Sequence, residues 1–163
     1  MINVKDLNQM ARNIIKNNQY VSIATTDKLG NPWISPVAYS YDKNWNLYFT
    51  SLPDSKHCKN IKATKKVVCC IFDSHQLWGE GVGLQIEGVS EEVTLRNAIE
   101  ATKIYSKRKY PYGKIKPGMI KFFLNELINK RAFYRFYKIT PRVVWMNDPN
   151  SKIDIRVKIN LKS

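Results

Sequence analysis

Histidine, cysteine and acidic residues are all scarce in this sequence. Only His57 and His75 offer imidazoles, and the three cysteines include one adjacent pair, Cys69 and Cys70. No C-x-x-C or H-x-x-x-H spacing exists, so no zinc site built by the chain itself is expected. Neighbours in a strand point to opposite faces, so the cysteine pair reads as two small hydrophobes. An odd count without framework spacing suits a reducing, cytoplasmic setting. The longest apolar run, Val67–Phe72, is far too short to span a bilayer. Residues 1–6 contain no apolar h-region, so no secretory signal is expected. There is no GxxxxGK[ST] loop, and the run Gly79, Gly81, Gly83 does not satisfy GxGxxG. Ser74-His75 reads as a loop pair and Glu91-Glu92 as solvated carboxylates. The side chains thus make no self-sufficient catalytic set, and hard chemistry would have to come from a cofactor.

What is present is an ordinary globular composition. At 163 residues, 44% apolar and 25% charged, the chain reads as one domain that can bury a core without disulfides. Its 27 basic residues against 13 acidic ones give a net charge of +14. The lysines are scattered. The densest stretch, Lys103–Lys116, is interleaved with tyrosine, proline and glycine, and no RNP motif, helix-turn-helix signature or finger accompanies it. A lysine-rich solvated surface is therefore preferred over a nucleic-acid partner, and the charge is a general hint of anions.

The pattern alternates between helical and strand periods. Val4, Leu7, Met10, Ala11, Ile14 and Ile15 predict an amphipathic helix over 4–17. Three β-rich runs follow, Tyr20–Thr26, Trp33–Tyr41 and Trp45–Ser51, joined by turn-forming Asp27–Pro32 and Asp42–Asn44, which predicts an antiparallel meander. A short helix at 55–63, strands at 67–73 and 82–93, helices at 94–108 and 117–130, and strands at 133–145 and 153–159 complete the reading. The fold class is α+β, a single unit on a closed antiparallel sheet.

One constellation rises above background. After Thr50 and Ser51, the segment Leu52-Pro53-Asp54-Ser55 supplies a helix N-cap, yet the first turn carries Lys56, His57 and Lys59. Cations at the positive end of a helix dipole cost about 0.3–1 kcal/mol each. A dianionic phosphate bound by free N–H groups, Lys56 and the Thr50, Ser51 and Ser55 hydroxyls would reverse that cost. The alternative is that these side chains point into water.

The ordered set Gly30-Asn31-Pro32, Ile34–Tyr39, Tyr48–Ser51, Ser55-Lys56-His57, Asn60, Val67–Phe72 and Ile86–Val89 resembles the pyridoxamine 5′-phosphate oxidase-like family over about residues 8–93. The resemblance implies an antiparallel split β-barrel with flanking helices, binding FMN at the interface of a homodimer. It places the backbone of Ser35, Pro36, Val37 and Ala38 along the flavin ring, and Phe49 and Thr50 beside the ribityl phosphate. It makes Ser55, Lys56 and His57 the counterpart of a Ser-Arg-Lys phosphate clamp.

Departures narrow the reading. Ile34 stands where the oxidase carries Arg and Gly83 where it carries a polar residue, for which Gln85 on the same strand face is the substitute. The oxidase's C-terminal Trp-x-Arg-x-Arg motif has no counterpart. The chain is accordingly closer to the nitroimidazole-resistance and general-stress relatives. It is read as an FMN flavoprotein and oxidoreductase acting on an unidentified small molecule. Alternatives are a flavin-carrying sensor without a substrate, or a split barrel holding haem or a deazaflavin. Trp145 reads as core, with a partner's flavin as its alternative. No membrane partner is expected. Dense aromatics at Tyr105, Tyr110, Tyr112, Phe133, Tyr134, Phe136 and Tyr137 are read as favouring a dimer interface, with cover of the barrel inside one subunit as the alternative.

Overall fold

The computed structural model describes residues 2–108 and 134–163, together with Gly118, Lys121 and Asn125. Its elements are helix α1 (Val4–Asn17), strands β1 (Tyr20–Thr26), β2 (Pro32–Ala38), β3 (Ser40–Tyr41) and β4 (Leu47–Ser51), helix α2 (Lys56–Thr64), strands β5 (Lys66–Phe72) and β6 (Gly83–Glu92), helix α3 (Leu95–Lys107), and strands β7 (Arg135–Asn147) and β8 (Arg156–Lys158). Apart from Gly118, Lys121 and Asn125, the residues of the helix expected over 117–130 lie outside the described ones.

All eight strands form one antiparallel sheet in the order β2-β1-β5-β6-β7-β4-β3, with β8 paired to β7. The two ends of that order are one piece of chain, since only Tyr39 separates β2 from β3. The sheet therefore curls back on itself. Its first half-strand pairs with β1, its second with β4, and the expected meander is the seam of a split barrel. The stretch expected as one strand over 33–41 is in fact bent at Tyr39, whose side chain is fully buried and whose hydroxyl donates to the Ile15 carbonyl at 2.7 Å. Arg108, at the end of α3, lies 4.2 Å from the Tyr39 ring and donates to the carbonyls of Tyr39, Ile15 and Asn18. One guanidinium thus closes the C-terminus of α1 and fastens the seam.

Strand alternation sorts the residues into two faces. Val21, Ile23, Phe49, Cys69, Ile71, Leu84, Ile86, Ile139 and Met146 fill the interior, joined by Leu7, Ala11 and Ile15 of α1 and by Cys58 and Ile61 of α2. Burial of each such aliphatic side chain contributes about 1.5–3 kcal/mol. Cys69 and Cys70 do face opposite ways: Cys69 is in the core, where burial pushes its thiol up to about 12, and Cys70 is half-exposed. A smaller cluster under α3 packs Tyr105 edge-on to Phe136 at 5.8 Å, beside Tyr48 and Ala101. Tyr137 stacks on Phe49 in the interior at 5.2 Å. Tyr105, Phe136 and Tyr137 therefore cover the barrel within the subunit. Tyr110, Tyr112 and Phe133 lie outside the described residues.

The two seam hairpins share a device. Asp27 accepts from the N–H of Leu29 and Asn31 and from the Asn31 amide, each at 2.9 Å. Asp42 repeats this with Asn44, Asn46 and the Asn46 amide at 2.8, 3.0 and 2.7 Å. Both turns read Asp-Lys-x-x-Asn, and the residue before Asn is left-handed in each: Gly30 at φ 87° and Trp45 at φ 64°. That conformation at Trp45 explains why β4 begins at Leu47 rather than at Trp45.

Candidate functional site

The α2 N-terminus is built by the β4–α2 connection. Ser55 takes the extended N-cap geometry, φ −62° and ψ 149°, but makes no side-chain cap bond. Its Oγ instead lies 3.3 Å from both Ser51 Oγ and His57 Nε2, and Ser51 Oγ lies 2.8 Å from His57 Nε2. The first turn carries no acid, and its leading N–H groups have no intrahelical acceptor. A helix whose N-cap hydroxyl is spent elsewhere keeps its dipole end free for an anion.

His57 is buried, 8% exposed, with its ring tilted against Phe49 at 6.1 Å. Burial lowers its pKa below the ordinary imidazole value. It stands in this cluster as a neutral ring holding two serine hydroxyls, in place of a charged arm. Lys56 is exposed and turns the other way, with Nζ 4.5 Å from the centre of the Trp33 indole. Trp33 Nε1 donates to Ser35 Oγ at 3.0 Å. Trp33 was not singled out in the sequence; its place directly after the Asn31-Pro32 turn is the only signal that could have drawn it in.

The other anticipated residues divide between two regions. Thr50 is half-buried opposite Phe136, and the Phe49 side chain is fully buried in the core, leaving only its backbone to a ligand. Ser35 and Val37 project to the side of Ile23 and Val21, near α2. Pro36 projects to the opposite, outer face. There it begins a row of side chains on successive strands: Pro36, Ser22, Cys70, Gln85, Trp145 and Lys158. Gln85 is three strand spacings, about 14–15 Å, from Pro36. It accepts from Arg156 Nε at 3.1 Å. Ala38 closes β2 beside Tyr39. The structure thus gathers Ser51, Ser55 and His57, sets Lys56 and Ser35 about Trp33, and leaves Gln85 apart on the outer face.

Trp145 is not core as expected. It stands half-buried on that outer face, and its Nε1 donates to Glu87 at 2.9 Å. On the same face Ala24 lies between the large exposed Ile34 and Val68, and Ser22 between Pro36 and Cys70, a surface of small and apolar side chains across three strands. Among the described residues no group of histidine, cysteine and carboxylate side chains could hold a metal ion. No described helix is long and apolar enough to cross a membrane.

The family model for pyridoxamine 5′-phosphate oxidase matches residues 7–144. The chain belongs to that family. No curated protein sequence matches it. The solved structures it is similar to include a heme-binding protein of Mycobacterium smegmatis, at 13% identity and a TM-score of 0.69, covering 93% of this chain and 57% of that one. An FAD-binding protein of Mesorhizobium loti is 16% identical, with a TM-score of 0.62, covering 85% and 91%. A protein of Bacteroides thetaiotaomicron assigned to 5-nitroimidazole resistance is 17% identical, with a TM-score of 0.62, covering 85% and 81%. Such likenesses show the fold, the split barrel anticipated from the sequence. The proteins that share it are named for different ligands, so the ligand of this chain has to be argued from its own residues.

Proposed function

We propose that this family member binds FMN, with the flavin phosphate at the N-terminus of α2, and acts as a cytoplasmic oxidoreductase on a small molecule. The observation that carries the reading is the uncapped first turn of α2, with Lys56 beside it and Ser51, Ser55 and His57 clustered at its start. The donors fit a phosphate: an ammonium, two hydroxyls and main-chain N–H groups, with no carboxylate in the turn. The small side chains of Ser22, Ala24 and Cys70 leave room on the outer face for a planar ring system, and a second subunit would cover it. When bound, the flavin supplies hydride or electron transfer; the protein binds, orients and shields it. No side-chain acid or base is assigned.

The test is a titration with FMN and riboflavin. FMN is expected to bind at least ten times more tightly. Equal affinity for the two would overturn the phosphate reading.

A second reading, haem, has one structural feature in its favour. His75 Nδ1 lies 2.8 Å from Asp73 Oδ1 on an exposed loop, the carboxylate-to-imidazole contact that commonly orients a metal-bound histidine. The absorbance spectrum of freshly purified protein separates flavin, deazaflavin and haem at once.

A further inference from the structure

A second basic site lies away from α2. Between the β3–β4 turn, the middle of β7 and the last residues of the chain is a cleft of about 260 Å³. Arg142, Lys158 and Lys162 line it, and none of its described lining residues is a carboxylate. None of the three cations is in an ion pair among the described residues. Three like charges around one cleft repel, and an anion placed between them removes that cost.

The backbone is shaped to put them there. In the β6–β7 pairing Glu87 faces Val143 and Gly88 faces Pro141, so Arg142 is the extra, unpaired residue of a β-bulge. Bulges bend a strand and re-aim the side chain at the extra position. The approach is close enough that a Cβ on Gly88 would sit 2.7 Å from the Thr140 carbonyl oxygen. A second special conformation forms the opposite wall. Trp45 is left-handed at φ 64° and stacked on Tyr41 at 5.4 Å. A bulky residue adopts that conformation only where its surroundings hold it there. Asn44, Asn46 and Asn160 add amides to the lining.

We infer that this cleft is a binding site for the phosphoryl group of a small anionic molecule, with Arg142 as its principal ligand. A guanidinium is a planar fork for phosphate oxygens, here carried on the extra residue of a bulge, and the two lysines add point charges at the rim. With Trp45 stacked on Tyr41 and the Lys16 ammonium 5.8 Å from its ring, the indole acts as a wall and not as a stacking platform. The specificity is thus for the charged group.

The inference does not rest on the flavin reading, and its test keeps the two apart. Lys56→Ala protein, in which the α2 site is weakened, is titrated calorimetrically with pyrophosphate at about 0.15 M ionic strength, where distant surface charges are screened. Saturable binding is expected. Arg142→Gln on that background is expected to weaken it at least tenfold, and Lys158→Gln with Lys162→Gln severalfold, with unchanged circular dichroism. No saturable binding, or binding indifferent to Arg142→Gln, would overturn the site. So would binding of an oligonucleotide without binding of pyrophosphate, since that would make the cations part of an extended polyanion surface.

Discussion

The Lys56 ammonium rests 4.5 Å from the centre of the Trp33 indole, at the uncapped start of α2. An exposed cation–π contact contributes about 0.5–1 kcal/mol, and a charge-assisted bond to phosphate about 1.5–3 kcal/mol. A phosphate at α2 therefore draws the ammonium off the ring. Lys56→Ala is expected to weaken FMN roughly 10- to 100-fold, which is the latter energy expressed as affinity. In Arg142→Gln protein, which lacks the principal ligand of the second cleft, inorganic phosphate is expected to change the tryptophan emission, and Lys56→Ala on that background to abolish the change. A response surviving in the double variant would place the anion elsewhere.

His57 gives the fold a pH dependence of definite sign. Its folded pKa is lowered by burial, so the unfolded chain takes up the proton first. The neutral ring's contribution is full above the unfolded value of about 6.5 and is lost as pH falls from there to the folded pKa. Urea unfolding between pH 7.5 and 5 is expected to show this loss, and His57→Gln to flatten it. FMN should oppose it, because a phosphate beside the imidazole favours the charged form. An unchanged slope in His57→Gln would mean that another group carries the titration.

The two Asp-Lys-x-x-Asn turns make a paired comparison. Asp42 also accepts from the Tyr48 hydroxyl at 3.2 Å, and Asn46 is buried. The Asp27 turn is exposed, and its carboxyl is held below the usual range first by the Asn31 amide. Removing an acceptor from buried donors costs about 1–3 kcal/mol. Asp42→Ala is thus expected to lower the melting temperature by several degrees, at about 2–4 °C per kcal/mol for a chain of this size. Asp27→Ala should change it much less. Equal losses would show that burial is not what distinguishes the turns.

The sequence made the periodic elements legible, because a core face repeats in every strand and helix. Hence α1, β1 and β6 fall within about a residue of expectation. Single-residue departures were harder to see. The bend at Tyr39 comes from a tyrosine whose hydroxyl reaches α1, and the Arg142 bulge from a register shift between distant strands. Neither leaves a local periodic trace. The Asp-Lys-x-x-Asn repeat did leave one, yet Trp at the left-handed position hid its likeness to the Gly30 turn. At the site, the cation-rich first turn was visible as an electrostatic anomaly. The inward turn of His57 was not, since composition does not reveal which of two neighbouring basic side chains a helix buries.

The aromatic residues that first argued for a dimer are in part spent inside the subunit, as Tyr105, Phe136 and Tyr137 show. The exposed apolar surface lies elsewhere. Ile34 is 63% exposed, Val68 49% and Phe72 59%, all on the outer face that carries Ser22, Ala24 and Cys70. A contiguous apolar patch on a sheet face marks a contact surface. A second copy placed there would also flank any ring lying on the small residues. Light scattering at micromolar concentration is expected to give twice the 19.0 kDa chain mass. Val68→Glu, which puts a charge in the centre of the patch, is expected to yield monomer and to release FMN, while leaving the circular dichroism intact. A wild-type mass near that of one chain would reject the dimer. A Val68→Glu protein that is still dimeric would move the interface to another face. If the dimer forms as described, flavin occupancy should fall on dilution, because each site loses part of its wall as the subunits separate.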